Sequence, residues 1–293
     1  MNINKIQNNT NFKSGLTPEI LKMEKIVSPQ WVERQFVHKG GGWFKFKDNK
    51  AFALANFLCS GIFDNLNNMH NFSFDLVDVF QPNGFYVYDI EECNKPEKYK
   101  SEFFFVNNWT IHNFDKSGRA FIPATFFMNN KYKTLEEINA LTEENKADNY
   151  IGSGHFLYYF VHEWIHALQY KITENLCKWN RADFDSALDD YDAQKFTDKE
   201  REIVADVISE YAAEKREDGE FAEAFAETWS KFICKSLNKE CTGFTKDPID
   251  ELRNTPKEFR KILKKISTMT IIEPKRKPIL NNRKVISYCK EWG

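Results

Sequence analysis

Short apolar runs bounded by Asn, Gly, Pro and Asp fill the first half of the chain, and helical spacing takes over in the second. The runs at 43–46, 72–80, 85–90, 103–109 and 120–128 are rich in Phe, Tyr, Trp and Val, which predicts strands. A helical stretch at 49–65 interrupts them. After Leu135 apolar residues recur at i, i+3 and i+4. Phe156, Leu157, Phe160, Val161, Trp164, Ile165 and Leu168 predict one long helix reaching about Cys177. Gly152, Ser153 and Gly154 precede it, with Ser153 the expected capping side chain. Further helices are predicted at 197–214, where Ile203, Val204, Val207, Ile208 and Tyr211 form a stripe, and at 219–237. Strands come first and helices afterwards, without regular alternation. That order predicts an α+β fold: an aromatic-rich mixed sheet followed by a helical part.

The ends of the chain differ from its middle. Residues 1–40 are polar and Asn-rich and read as an amino-terminal arm ahead of the glycine run at 40–42, so folding is expected to begin near Trp43. Residues 41–255 form the expected folded body, and 256–293 a basic helix and extension on the surface. Residues 1–30 lack the charged-then-apolar pattern of an export signal, and no apolar run approaches the roughly 18 to 20 residues of a membrane span. A formal charge of -2 supplies no field for nucleic acid or an anionic membrane, so neither partner is expected. Six scattered cysteines without a CxxC pair argue for reduced thiols rather than a structural zinc site.

One segment carries chemistry. His162, Glu163, Trp164, Ile165 and His166 form HExxH on the predicted long helix. Residues four apart lie on one helix face, so both imidazoles can reach a single zinc at about 2.0–2.1 Å. Glu163 points to one side of them, where it can serve as general base and then pass its proton to the leaving amine. A catalytic zinc needs a third protein ligand. Glu223 and Glu227 share a helix face at i and i+4, so one can bind metal while the other holds a ligating histidine. Glu202, with Asp206 four residues on, offers the same spacing and is the alternative third ligand; Glu220 is a weaker candidate. His155 lies about 10 Å along the helix from His162, too far to share the metal. His38, His70 and His112 belong to no motif.

The runs His162-Glu163-Trp164-Ile165-His166, Ile208-Ser209-Glu210-Tyr211-Ala212 and Glu223-Ala224-Phe225-Ala226-Glu227-Thr228-Trp229 together resemble the anthrax lethal factor-like catalytic domain family of zincins, which includes Pro-Pro endopeptidases and domains attached to phage head proteins. The resemblance implies Glu223 as third zinc ligand, Glu227 as the acid behind a ligating histidine, and Tyr211 as the hydroxyl that steadies the oxyanion. It departs from the family pattern at Ile165, where the family has Gly, and in the longer spacing from Tyr211 to Glu223, as though 214–219 held an insertion. It further implies that 120–128 is the edge strand on which an extended peptide substrate lies.

The expectation is therefore a metalloendopeptidase with one catalytic zinc and a protein or peptide substrate. It acts in the cytoplasm, in a virion or after delivery by a non-classical route. The alternative is a zincin-fold binding or structural module whose metal site is not catalytic.

Overall fold

The computed structural model describes residues 15–37, 43–67, 84–93, 103–106, 125–176, 208–217 and 221–246. The strand expected at 72–80, residues Glu202, Asp206, Glu220, His38, His70 and His112, and the basic end at 256–293 lie outside the described residues.

Within the expected arm, the described residues 15–37 are folded into two helices. Helix α1 (Pro18–Ile26) begins at Thr17, whose hydroxyl accepts from the Ile20 amide, with Pro18 at the first helical position and Glu19 behind it. Helix α2 (Pro29–Val37) follows. Ile20, Val27, Val32 and Phe36 are buried in the main core, so the folded body starts well before Trp43. Glu24 reaches across to Leu135 and accepts its backbone N–H at 3.0 Å, capping a helix more than a hundred residues downstream.

Strands β1 (Trp43–Lys45), β2 (Gly84–Tyr88), β3 (Phe103–Val106) and β4 (Thr125–Asn129) form one sheet in the order β1-β2-β4-β3. β1, β2 and β4 run parallel, and β3 is antiparallel to β4. Helix α3 (Lys50–Asn67) provides the crossover from β1 to β2. The segment 120–128 was expected at the sheet's edge. Its described part, within β4, lies between β2 and β3 instead, and β1 and β3 are the edges among the described strands. The reason is visible in its side chains: Thr125, Phe126, Phe127, Met128 and Asn129 are all buried, the pattern of a strand covered on both faces.

Helix α4 (Leu135–Ala147) is closed at its start by a capping box between Thr134 and Glu137. Helix α5 (Tyr158–Leu176) carries HExxH. Phe156, Leu157, Phe160, Val161, Trp164 and Ile165 are buried as their spacing predicts. A ladder of rings fixes the helix to the sheet: Phe36 to Phe85 and Phe85 to Phe126, each 5.0 Å between centroids, Phe126 to Trp164 at 5.9 Å, and Trp164 to Phe63 at 5.1 Å. Each such pair contributes on the order of 0.5–1.5 kcal/mol beyond its buried area. Asn56, buried in α3, accepts from the Trp164 indole at 3.4 Å and sets the ring's orientation.

The expected cap at Ser153 is displaced. The helix starts at Tyr158 because the His155 ring turns the chain, its Nδ1 accepting from the Leu157 amide at 3.1 Å. Helices α6 (Glu210–Glu217) and α7 (Phe221–Ser236) complete the described fold, with α7 packed along α5. Of the helix expected at 197–214, residues 197–207 lie outside the described residues, and in the rest Ser209 interrupts the helical run. That hydroxyl accepts from the Ala212 amide at 3.1 Å and starts α6 afresh. None of the helices among the described residues is long and apolar enough to cross a membrane.

Candidate metal centre

Helix α5 places His162 and His166 one turn apart, and α7, lying alongside, presents Glu223 to both. His162 Nε2 and His166 Nε2 stand 3.0 Å apart. Glu223 puts one carboxylate oxygen 3.1 Å from the first and the other 3.3 Å from the second. Among the described residues this is the group of three metal-binding side chains whose ligand atoms converge on one point. Two imidazole nitrogens and a carboxylate are a donor set suited to a catalytic zinc, which takes three protein ligands and keeps a fourth position open. Separations of 3.0–3.3 Å also match the edge of a tetrahedron with metal–ligand bonds of about 2.0 Å. The residues present therefore fit the ion.

The electrostatics point the same way. Burial alone would lower the His162 pKa, but hydrogen bonds to Glu223 and Glu227 outweigh it and hold the imidazole well above its ordinary value. His166 is raised too, with Glu223 overcoming its burial. Burial would raise Glu223, whereas His166 and His162 beside it pull its carboxyl well below the ordinary range. Glu163, Glu223 and Glu227 thus gather around two imidazoles in a largely enclosed space, a surplus of acid that favours a cation there.

Behind His162, His166 and Glu223 lies a second set of contacts. His162 Nδ1 meets Glu227 Oε1 at 2.9 Å, so the ring's other nitrogen is turned towards Glu223 and His166. Glu227 is 1% exposed. Its Oε2 accepts from the Tyr158 hydroxyl at 2.6 Å, the Ser209 hydroxyl at 2.7 Å and the Gly152 amide at 3.3 Å. Gly152 has to be glycine: a Cβ would stand 2.9 Å from the Tyr158 hydroxyl oxygen and 3.1 Å from the Lys231 Cβ.

Glu163 follows His162 directly and is 7% exposed. Its charge acts on both His166 and Tyr211. Tyr211 reaches the centre from α6 despite the longer spacing to Glu223. Its ring lies 6.4 Å from the His162 ring, and its hydroxyl is within the electrostatic reach of Glu223 and Glu163. Burial, then the charges of Glu223 and Glu163, push the phenol far above its ordinary pKa, so it stays protonated. The backbone of α6 is tied at its start, with the Glu210 amide donating to Asn149 O and the Tyr211 amide to Tyr150 O. The structure thus brings together His162, Glu163, His166, Tyr211, Glu223 and Glu227.

Sequence reasoning missed Tyr158, Ser209 and Gly152, which all hold Glu227. Ser209 followed by Glu210 is a helix-start signal that could have marked one of them. His155 lies outside this group. It is enclosed against Cys241 Sγ at 3.5 Å and against Gly15, where a Cβ would collide with its ring, and burial lowers its pKa to about 4. No family model, curated protein or solved structure matches the chain.

Proposed function

We propose that this chain is a zinc-dependent endopeptidase in which His162, His166 and Glu223 hold the metal. The observation that carries the reading is the convergence of two Nε2 atoms and one carboxylate, with a further acid, Glu163, next to the first ligand. Zinc in such a site supplies Lewis acidity to a carbonyl oxygen and lowers the pKa of water to about 7. Glu163 takes a proton from the attacking water onto a carboxylate oxygen and delivers it to the amide nitrogen as the C–N bond breaks. Tyr211, kept protonated by its surroundings, donates a hydrogen bond to the oxygen that gains charge as the amide carbon becomes tetrahedral. Glu227 holds His162 and takes no part in the proton transfers.

The test is incubation of the zinc-loaded protein with a randomised peptide library, with Glu163→Gln alongside. Internal cuts made by the parent and lost in the variant support the reading. Stoichiometric zinc with no cut in the library or in unfolded proteins overturns it in favour of a module with a non-catalytic metal site.

A further inference from the structure

We infer that Ser209 is a positioning residue that sets the metal ligand His162 and the tyrosine Tyr211 in a common register. The inference rests on the peptidase reading for its kinetic consequences, though not for its consequence on metal affinity.

Ser209 is 3% exposed and uses its hydroxyl in two directions. As acceptor it takes the Ala212 N–H at 3.1 Å, which starts the helix carrying Tyr211 two residues on. As donor it makes a hydrogen bond to Glu227 Oε2 at 2.7 Å. The other oxygen of that carboxylate holds His162 Nδ1 at 2.9 Å. One small side chain therefore connects the start of α6 to the orientation of a ligand on α5, through an acid on α7.

Neighbouring contacts make this a fixed joint. Lys231, on α7, donates to the carbonyl of Ile208 at 3.3 Å, just before Ser209, and the first two amides of α6 bond to Asn149 and Tyr150. The Tyr158 hydroxyl approaches the same Glu227 oxygen from α5. Two hydroxyl donors and an amide on one oxygen hold the carboxylate as an acceptor, leaving its partner oxygen to fix the imidazole. The helix that carries Tyr211 is thereby anchored at its start.

The test compares full-length Ser209→Gly, Ser209→Ala and Ser209→Thr with the parent. Glycine at a helix start costs only a few tenths of a kcal/mol. Ser209→Gly thus removes the donor to Glu227 while sparing the helix, and threonine restores the hydroxyl. Zinc affinity is read by competition with a chromophoric chelator, kcat and KM on a peptide cut by the parent, and thermal stability on the zinc-free proteins. The expected result is about tenfold weaker zinc binding and a lower kcat with little change in KM for glycine and alanine, with threonine close to the parent. Unchanged zinc affinity and kcat in Ser209→Gly overturn the inference. So does a loss that threonine shares, or one that follows thermal stability alone. If the parent binds zinc but cuts no peptide, the peptidase reading fails by itself, and the affinity comparison still decides the role of Ser209.

Discussion

His162 and Glu227 meet at 2.9 Å through Nδ1 and Oε1, and this contact turns the opposite nitrogen of the ring towards Glu223 and His166. An imidazole held in this way presents a lone pair in a fixed direction. Glu227→Gln keeps the shape of the side chain and removes its charge. Zinc affinity is expected to fall about 10- to 100-fold, measured by chelator competition, with the fold retained.

Zinc is expected to stabilise the protein, because the ligands come from two helices and converge only when those helices are packed. At free zinc a hundredfold above the dissociation constant, the gain is about 2.7 kcal/mol. Calorimetry with zinc and with a chelator should show a higher melting temperature for the loaded protein. His166→Ala should abolish the difference, and a shift that survives it would place the metal elsewhere.

Tyr211→Phe removes a donor that the geometry directs at the centre and touches no zinc ligation. We expect kcat to drop about 100-fold or more, with zinc content unchanged. Steady-state kinetics with metal analysis on the same samples decides this, and full activity in the variant would exclude the tyrosine from catalysis.

The motif was legible because its geometry is local. Residues at i and i+4 share a helix face whatever the rest of the chain does, so HExxH and the pair Glu223 and Glu227 could be placed from spacing alone. The network on Glu227 could not, since Gly152 and Tyr158 are 75 and 69 positions from it and meet it only in the packed molecule. Strand order is non-local in the same sense. The apolar run Phe126-Phe127-Met128, without alternation, was the available hint in the sequence that β4 is interior. The amino-terminal helices hid behind their polar neighbours, although Thr17-Pro18-Glu19 is a helix-start signal.

His155 makes stability depend on pH. Its folded pKa, about 4, lies below the ordinary 6.5 of an exposed histidine, so between those values the unfolded chain binds a proton that the folded one does not. Its contribution is complete above pH 6.5 and is lost as pH falls towards 4, by about 3 kcal/mol in all and about 2 kcal/mol by pH 5. His162 and His166, whose pKa values are raised, act in the opposite direction over the same range, so urea unfolding at pH 7 and pH 5 reads this contribution as the difference between the parent and His155→Gln; an equal change in the two proteins would contradict it.

Phe36 tests whether the amino-terminal helices belong to the core. It is 2% exposed, with its ring 5.1 Å from Phe44 and 5.0 Å from Phe85. Phe36→Ala should cost about 3–5 kcal/mol in urea unfolding. A cost below about 1 kcal/mol would return this region to the status of an appendage.

The position of β4 between β2 and β3 also has a consequence during synthesis. β3 is made first, yet among the described strands its partner is β4, whose last residue follows 23 positions after Val106. At the roughly 5–20 residues per second of a translating ribosome, the run Phe103-Phe104-Phe105-Val106 waits about one to five seconds for the strand that pairs with it. During that interval the nascent chain carries an unpaired apolar strand, the kind of segment that associates with other chains or is taken up by chaperones. Yield in a cell should accordingly respond to slower translation and to chaperone supply through this four-residue strand, even where the finished fold is stable.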